Sequence, residues 1–187
     1  MSTLYTVGQM NQLGDALEAA DFTPEDVTKL RTSPQLHAFK QVLLGHAEIK
    51  QLENVIDLDA SPICPGSLTV EEHQKGGSFR WDPAKVQLYL SKPQSKGKVI
   101  GGLDLRKDLV GKPVFNACLL DYLLAHPHLI PEEWKGKCIF FWGTIYRDSD
   151  GRLFVRCLYW RGGQWQWNYY WLGLGWYGDD PAALRAS

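Results

Sequence analysis

The sequence lacks two local motifs that often identify an α/β-hydrolase or a P-loop nucleotide-binding enzyme. It contains no G-x-S-x-G nucleophile elbow and no G-x-x-x-x-G-K-[ST] loop. The elbow exposes a nucleophilic serine at a strained turn, and the loop brings backbone N–H groups onto phosphates, so neither chemistry has an evident scaffold here. We therefore expect a protein that is not an enzyme and that carries no cofactor.

The sequence also lacks long apolar runs and paired cysteines. No stretch approaches the about 18–20 continuous apolar residues of a membrane-spanning helix, and the N-terminus shows no basic region followed by an apolar one. The four cysteines form no C-x-x-C pair, which argues against a disulfide scaffold or a zinc ribbon. We expect a cytoplasmic protein with reduced thiols and no membrane partner. The cysteines are Cys64, Cys118, Cys138 and Cys157.

The chain divides into a helical N-terminal segment, residues 1–50, and an α+β domain, residues 51–187. Helix signals in the first part are a segment from about Gln9 to Ala20, an N-cap at Thr23 and a second start at Ser33-Pro34. The second start precedes a helix with one apolar stripe, and Gly45 can end that helix. The stripe consists of Leu36, Phe39, Val42 and Leu43.

The second part mixes strands, one helix and an antiparallel meander. Asn116 can cap a helix that runs to Ala125. The residues before it predict short strands near 55–58, 78–81 and 85–90 and an exposed loop over 91–102. The residues after it predict one helical turn at 131–134 and then three strands, 138–146, 152–160 and 164–171. With 44% hydrophobic residues in 187, such a chain can bury a core.

The last strand alternates polar and aromatic residues with period two, which predicts one buried and one solvated face. A two-residue turn at Gly162-Gly163 would place Trp160 opposite Trp165, and a four-residue turn at 148–151 would place Phe141 opposite Leu158 and Ile139 opposite Trp160. One face then forms the core, and the other is half covered. The predicted core face contains Ile139, Phe141, Ile145, Phe154, Leu158, Trp160, Trp165, Trp167, Tyr169 and Trp171.

Three other constellations are weaker candidates for chemistry. The acids, His and Cys between residues 46 and 73 include metal-ligand types, but their spacing matches no metal motif, so we expect no metal. The triplet Glu48-Ile49-Lys50 could serve a nuclease. The segment 75–112 carries nine Lys or Arg with Trp81 and Tyr89 between them, as a nucleic-acid-binding stripe would. The candidate metal residues are His46, Asp57, Asp59, Cys64, Glu71, Glu72 and His73.

Two resemblances extend this interpretation. Residues 71–77, 121–127, 130–137 and 140–147 resemble a family of short bacterial proteins, frequent in small-genome candidate-phylum bacteria, which implies no activity. The run Trp160-Arg161-Gly162-Gly163-Gln164-Trp165 is similar to the R-G-G-S-W run of C-type-lectin-like domains, including variable proteins of diversity-generating retroelements. That resemblance implies a fixed scaffold that presents exposed, diversified residues to a ligand.

The sequence therefore predicts a recognition protein that presents the polar side of the last strand and the loop after it to a protein, another macromolecule or a glycan. Rigid aromatics and small polar residues are typical of such surfaces. The alternative is a nucleic-acid-binding protein or nuclease that uses the basic segment 75–112. The predicted ligand-binding residues are Gln164, Gln166, Asn168, Tyr170, Trp176, Tyr177 and Asp179.

Overall fold

The computed structural model describes residues 4–32, 36–49 and 53–186. The chain forms two compact units, Met1–Gln51 and Leu52–Ser187, a division that falls one residue from the boundary inferred from sequence. The fold class is α+β, with helices in the first unit and a mixed sheet that ends in an antiparallel meander in the second.

The described residues of the first unit form three helices, α1 (Val7–Ala19), α2 (Pro24–Thr32) and α3 (Leu36–Leu43). Thr6 and Gln9 form a capping box at the start of α1, and Thr23 with Asp26 forms the same reciprocal pair at α2. Gly45 follows α3 with φ 73°, as predicted for its end. The predicted helix start at residues 33 and 34 lies outside the described residues. No described residue of this unit is buried.

Within residues 53–186, the described part of the second unit, there are ten strands and two α-helices. Four short 3₁₀ turns, among them Glu132–Trp134 at the predicted helical turn, connect them. The elements, in chain order, are β1 (Val55–Asp57), β2 (Thr69–His73), β3 (Ser78–Arg80), β4 (Val86–Tyr89), β5 (Ile100–Gly101), α4 (Gly102–Asp108), α5 (Ala117–Ala125), β6 (Cys138–Arg147), β7 (Leu153–Arg161), β8 (Gln164–Trp171), β9 (Gly175–Trp176) and β10 (Ala182–Arg185).

The main sheet has the strand order β4-β10-β6-β7-β8, and β2 also pairs with β6. β10 runs antiparallel to β4 and parallel to β6, so the end of the chain fills the middle of the sheet. In this strand order, β8 lies at one edge of the sheet.

Asn116 caps α5 as predicted, because its side chain accepts a hydrogen bond from the backbone N–H of Cys118.

The turn between β7 and β8 confirms the predicted hairpin. Gly162 and Gly163 have φ values of 63° and 80°, the left-handed pair that a type I′ turn requires and that glycine adopts without steric cost. Trp160 lies opposite Trp165, and the register continues without a shift to the far end of β8. The predicted pairing of these two strands is correct.

The predicted register between β6 and β7 is wrong. The prediction placed Phe141 opposite Leu158 and Ile139 opposite Trp160, whereas Ile139 lies opposite Leu158. The register between the two strands shifts once, between Phe140 and Ile145. As a result, Ile145 lies opposite Val155 and joins the core on the face opposite to the one predicted. Four residues of β6, 141–144, lie where β7 has one, Arg156, and this odd number of extra residues exchanges the faces of all the residues beyond them.

The start of α5 explains where this bulge lies. Gly143 is in the shifted part of β6, and a Cβ atom there would come within 2.9 Å of the Asn116 side chain. The next residue, Thr144, accepts a hydrogen bond at its hydroxyl from the backbone N–H of Ala117, with 3.0 Å between the two atoms. The bulge thus lets β6 meet the N-terminus of α5 at backbone contact distance, a tertiary contact that local sequence does not reveal.

On β6 and β7 both faces are core, whereas the second face of β8, where Gln164 and Asn168 are exposed, is covered only in part. On one face, Leu119 and Leu123 of α5 pack on Ile139 and Leu158. The other face is covered by α4 and by the segment after β8. That second cluster contains Leu105, Leu109, Phe140, Trp142, Ile145, Val155, Cys157, Leu172, Trp176, Ala182 and Leu184.

The loop over residues 91–102 is not fully exposed, contrary to prediction. Ser91 and Gln94 are buried, and the Gln94 side chain accepts hydrogen bonds from the backbone N–H and the hydroxyl of Ser91. The Gln94 amide donates to the carbonyl oxygens of Tyr177 and Asp180. This loop therefore anchors the segment between β9 and β10.

Candidate functional site

The predicted binding residues do not form one exposed surface. Gln164, Asn168, Tyr177 and Asp179 are exposed, as predicted. Trp176 is 1% exposed. Its ring lies so close to Gly102 that a Cβ atom there would come within 2.2 Å of it, so the placement of Trp176 on a ligand-binding surface is wrong.

Gln166 and Tyr170 are half-buried and make internal contacts. The Tyr159 hydroxyl donates to Gln166 Oε1 over 3.2 Å, and the Gln166 amide donates to the carbonyl oxygen of Arg161. The Tyr170 ring packs edge-on against Phe140, with 5.3 Å between centroids. The polar side of β8 is therefore partly committed to the second core cluster.

The loop after β9 is held in one conformation by its own polar contacts. The backbone N–H of Tyr177 donates to Asp180 Oδ2 over 2.8 Å, and the backbone N–H of Cys138 donates to the Asp179 carbonyl oxygen over the same distance. Burial raises the pKa of Asp180 above its usual value. The segment Gly173–Gly178 has Gly-x-Gly-x-x-Gly spacing, but β9 lies within it and β10 follows it, whereas the dinucleotide-binding motif of this spacing leads from a strand into a helix.

The opposite face of β8 carries an exposed line of aromatic rings, which we call the aromatic row: Trp165, Trp167, Tyr169 and Trp171. Trp167, Tyr169 and Trp171 are 41%, 41% and 43% exposed, and Trp165 is half-buried. This corrects the prediction that these residues are core. α5 packs on β6 and β7, whereas β8 is the edge strand, so the rings beyond that helix face solvent.

Three rings of the row are supported from behind by another side chain. Trp165 packs edge-on against Trp160, with 5.3 Å between ring centroids. Tyr169 packs edge-on against Phe154 at 5.5 Å. The third supporting side chain is Arg156, whose guanidinium lies over the ring of Trp167.

The ring of Trp171 is supported by backbone instead. A Cβ atom at Gly173 would come within 2.4 Å of the Trp171 ring. The absence of a side chain at position 173 therefore allows the indole to lie flat against the chain. All four rings of the row consequently have a fixed neighbour, and little side-chain freedom remains to be lost when a ligand binds.

Arg156 is the one charged residue buried under the row. It is 2% exposed, its Nη2 lies 2.8 Å from Asp121 Oδ1 on α5, and its guanidinium carbon lies 4.5 Å from the centroid of the Trp167 ring. Its Nε and Nη1 have no hydrogen-bond partner among the described residues. Burial raises the pKa of nearby Tyr146 to about 12, so that phenol stays neutral.

The surroundings of the aromatic row are electrically balanced. Lys135 Nζ lies 3.9 Å from the centroid of the Trp160 ring and 2.6 Å from Glu132 Oε2. Arg156 is balanced in the same way by Asp121. The cation that contacts Trp167 of the row and the cation that contacts Trp160 beside it are therefore both paired with carboxylates.

The residues considered for metal binding have structural partners instead. His73 lies 2.9 Å from the Thr144 hydroxyl and 3.2 Å from the Leu58 carbonyl oxygen. Glu71 accepts two hydrogen bonds from Arg147, which lower the pKa of Glu71. Within residues 4–32, 36–49 and 53–186, no group of three or more His, Cys, Asp or Glu side chains is close enough to hold a metal ion.

Several cations of the basic segment 75–112 are engaged with oxygen atoms of the same unit. Arg106 pairs with Glu72 and Lys107 with Asp104. Lys112 donates to a backbone carbonyl oxygen. In the nuclease triplet, Lys50 lies outside the described residues. These contacts reduce the number of cations that could meet a phosphate backbone.

The thiols lack the environment of a nucleophile. Burial raises the pKa of Cys118 to about 11. A hydrogen bond with Cys157, together with burial, raises the pKa of Cys138. Because the thiolate is the reactive form, neither cysteine is activated at neutral pH.

A cavity of about 440 Å³ lies between α4 and β6, with an apolar floor. Trp142 lines it, and the Trp142 Nε1–H has no acceptor among the described residues. The Glu72–Arg106 ion pair stands at its rim. The cavity brings together no nucleophile, base and oxyanion donors of the kind that catalysis requires.

The sequence analysis did not predict the aromatic row, because alternation alone does not say which face of an edge strand is covered.

Among the described residues, no helix has both the length and the apolar character needed to cross a bilayer. The resemblances to candidate-phylum proteins and to C-type-lectin-like variable proteins stay predictions. Comparisons of the chain with protein-family models, with curated proteins and with solved structures find no match.

Proposed function

We propose that this is a non-enzymatic binding protein that holds a neutral oligosaccharide on the aromatic row. The observation that carries the proposal is the line of four rings on one strand face, three of them more than two-fifths exposed, each with a fixed neighbour behind it. Exposed aromatic clusters of this kind are typical of interaction sites rather than of bare surface.

The chemistry of a sugar ring suits the flat faces of the row. A pyranose presents a patch of C–H groups with partial positive charge, and an aromatic ring has a negative face. Alternate residues of a strand lie about 6.6 Å apart, and the Trp167 and Tyr169 centroids are 6.4 Å apart with 32° between the ring planes. A chain of linked pyranoses can therefore lie along β8 and stack on successive rings.

Charge argues for a neutral ligand. A nucleic acid also stacks its bases on aromatic rings, but its binding depends on cations that neutralise phosphates. Arg156, which contacts Trp167 of the row, and Lys135, which contacts Trp160 beside the row, are each paired with a carboxylate. The formal net charge of the whole chain is −1. We therefore expect glycan binding with little dependence on salt.

Three binding residues predicted from sequence lie outside the aromatic row and serve as controls. Gln164 and Asn168 lie on the other face of β8, and Tyr177 lies in the loop after β9. Their side chains are exposed, so they provide matched controls on the same unit. If these residues rather than the row bound the ligand, the surface predicted from sequence would be the correct one.

Calorimetric titration with a panel of neutral hexasaccharides tests the proposal. Cellohexaose, laminarihexaose and maltohexaose present glucose in three different linkages, and N-acetylchitohexaose presents N-acetylglucosamine in the same linkage as cellohexaose. Trp167→Ala and Tyr169→Ala should each weaken the best ligand by about 2 kcal/mol, roughly thirtyfold in Kd, as is typical of aromatic contact residues. Gln164→Ala and Tyr177→Ala should leave Kd unchanged.

Two outcomes would contradict the proposal. The first is that no hexasaccharide binds while an oligodeoxythymidylate does, with an affinity that falls steeply as salt rises; this would favour the basic segment 75–112. The second is that a hexasaccharide binds but loses affinity in Gln164→Ala and Tyr177→Ala instead of in the row variants. Circular dichroism melting of each variant checks that the fold is retained.

A further inference from the structure

The outer edge of β8 is open. β8 pairs with β7 on one side, and no other described strand pairs with it on the other side. In a hairpin with a two-residue loop, the residues next to the loop exchange both backbone hydrogen bonds, and the pattern then alternates. The backbone groups of Gln164, Gln166, Asn168 and Tyr170 therefore point toward β7, and those of the aromatic row point outward.

Two contacts agree with this assignment. The backbone N–H of Leu172 donates to the Leu153 carbonyl oxygen, as the inward pattern requires. The backbone N–H of Tyr169 points away from β7 and donates over 2.8 Å to Asn168 Oδ1, the side chain next to it. The free edge thus belongs to the same residues that form the aromatic row.

This edge carries none of the usual protections against strand addition. Natural edge strands are kept apart by Lys, by Pro, by bulges or by short length. Among its eight residues, β8 has no charged residue, no proline and no glycine, and its register with β7 has no shift. By contrast, β4 at the other edge of the sheet has four residues.

We infer that β8 pairs antiparallel with β8 of a second copy of this chain, around a two-fold axis at Asn168. The backbone groups that point outward must pair with groups that also point outward. The register centred on Asn168 pairs all four residues of the row: Trp165 with Trp171 of the second copy, and Trp167 with Tyr169 of the second copy. A shift by two residues leaves one of the four without a partner.

The side chains favour this register as well. On one face, every cross-strand pair is aromatic with aromatic, which is among the most favourable pairings in an antiparallel sheet. On the other face, Asn168 meets Asn168 of the second copy, and the two amides can exchange hydrogen bonds. Because β8 has no charge, no like charges meet across the axis. Pairing would join the two aromatic rows into one surface of eight rings.

Disulfide trapping tests the register. Asn168 is a non-hydrogen-bonded position of the new pair, where the two Cα atoms lie about 4.5 Å apart, within the range that a disulfide spans. Asn168→Cys, in a chain whose exposed Cys64 is replaced by Ser, should form a reducible dimer under mild oxidation. Gln164→Cys is the matched control, because Gln164 lies on the same face at the far end of the strand and would meet Leu172 of the second copy. Equal trapping of both variants, or trapping of neither, would overturn the register.

Sedimentation velocity tests the pairing without a cysteine. The chain should sediment as a dimer of the 21.2 kDa subunit, and Asn168→Lys, which places two ammonium groups across the axis, should reduce it to a monomer that keeps the circular dichroism spectrum of the parent. Gln164→Lys should remain a dimer. A monomeric parent chain would overturn the inference and leave the edge to a strand of another protein.

The dimer does not depend on the glycan proposal, and the two can fail separately. Asn168→Lys keeps all four rings of the row, so a monomeric variant that still binds a hexasaccharide supports the glycan site alone. A dimer that binds no hexasaccharide supports the strand pairing alone.

Discussion

The guanidinium carbon of Arg156 lies 4.5 Å from the centroid of the Trp167 ring, on the buried side of the aromatic row. The same guanidinium is paired with Asp121 of α5. An exposed ring, a buried cation and a helix are thereby joined in one chain of contacts. A cation over the face of a tryptophan is favoured by the ring's electron density, more so when the pair is removed from water. The contact helps to keep Trp167 in place for a ligand.

Removing the carboxylate should be more harmful than removing the pair. Asp121→Asn leaves the buried guanidinium of Arg156 without its counter-charge, and we expect a loss of about 3 kcal/mol in the free energy of unfolding. The double variant Asp121→Asn with Arg156→Met should recover most of that loss, because no buried charge remains. Urea unfolding of the three proteins measures this. A double variant less stable than Asp121→Asn would contradict the assignment.

Two tryptophans that looked alike in sequence should differ sharply in their contribution to stability. Trp176 is buried against Gly102, so Trp176→Ala should cost about 3–5 kcal/mol, as for other large core truncations. Trp167→Ala removes a ring that is 41% exposed and should cost about 1 kcal/mol. Denaturant unfolding of both variants checks the difference, and equal losses would place Trp167 in the core after all.

Gly173 offers a change that moves a ring of the row without deleting it. Gly173→Ala adds a methyl group that would come within 2.4 Å of the Trp171 ring, so the indole must turn away. We expect the affinity for the best hexasaccharide to fall while the melting temperature changes little, since Trp171 is largely exposed. Gly178→Ala, where the nearest atom would be 3.5 Å away, is the control. An unchanged Kd in Gly173→Ala would show that Trp171 does not contact the sugar.

The tyrosines should ionise in two groups as the pH rises. Burial raises the pKa of Tyr146 to about 12, and burial with the Asp108 hydrogen bond raises that of Tyr89 to about 12, from an ordinary value of 10.0. Because the folded pKa is raised, each phenol stabilises the fold fully below pH 10 and loses that contribution as the pH rises from about 10 through about 12. Absorbance titration near 295 nm of the parent, Tyr89→Phe and Tyr146→Phe shows whether each substitution removes a late step. Titration of all the tyrosines near pH 10 would contradict this.

The meander was predictable because its signals are local. Period-two alternation identifies β8, and Gly162-Gly163 determines the turn and therefore its register with β7. Asn116 marks the start of α5 in the same way. These features depend on residues within one turn or one strand of each other.

The covered face could not be predicted, because it depends on contacts between distant segments. β10 enters the middle of the sheet from the end of the chain, and it makes β8 an edge strand that α5 does not cover. Alternation assigns Trp167 to one face and Tyr170 to the other, but it does not say which face meets α4. Trp176 was predicted to lie on the binding surface, whereas its ring packs against Gly102 at the start of α4, a contact between distant segments of the chain.

The indole N–H signals of the eight tryptophans test the binding surface most directly. Each Trp Nε1–H gives a separate signal in a ¹H–¹⁵N spectrum, assigned by substituting one tryptophan at a time. Addition of the best-binding hexasaccharide should shift the signals of Trp165, Trp167 and Trp171 and leave those of the buried Trp142 and Trp176 unchanged. Shifts confined to Trp142, which lines the cavity beside α4, or a hexasaccharide that shifts none of the three row signals, would contradict the proposed site.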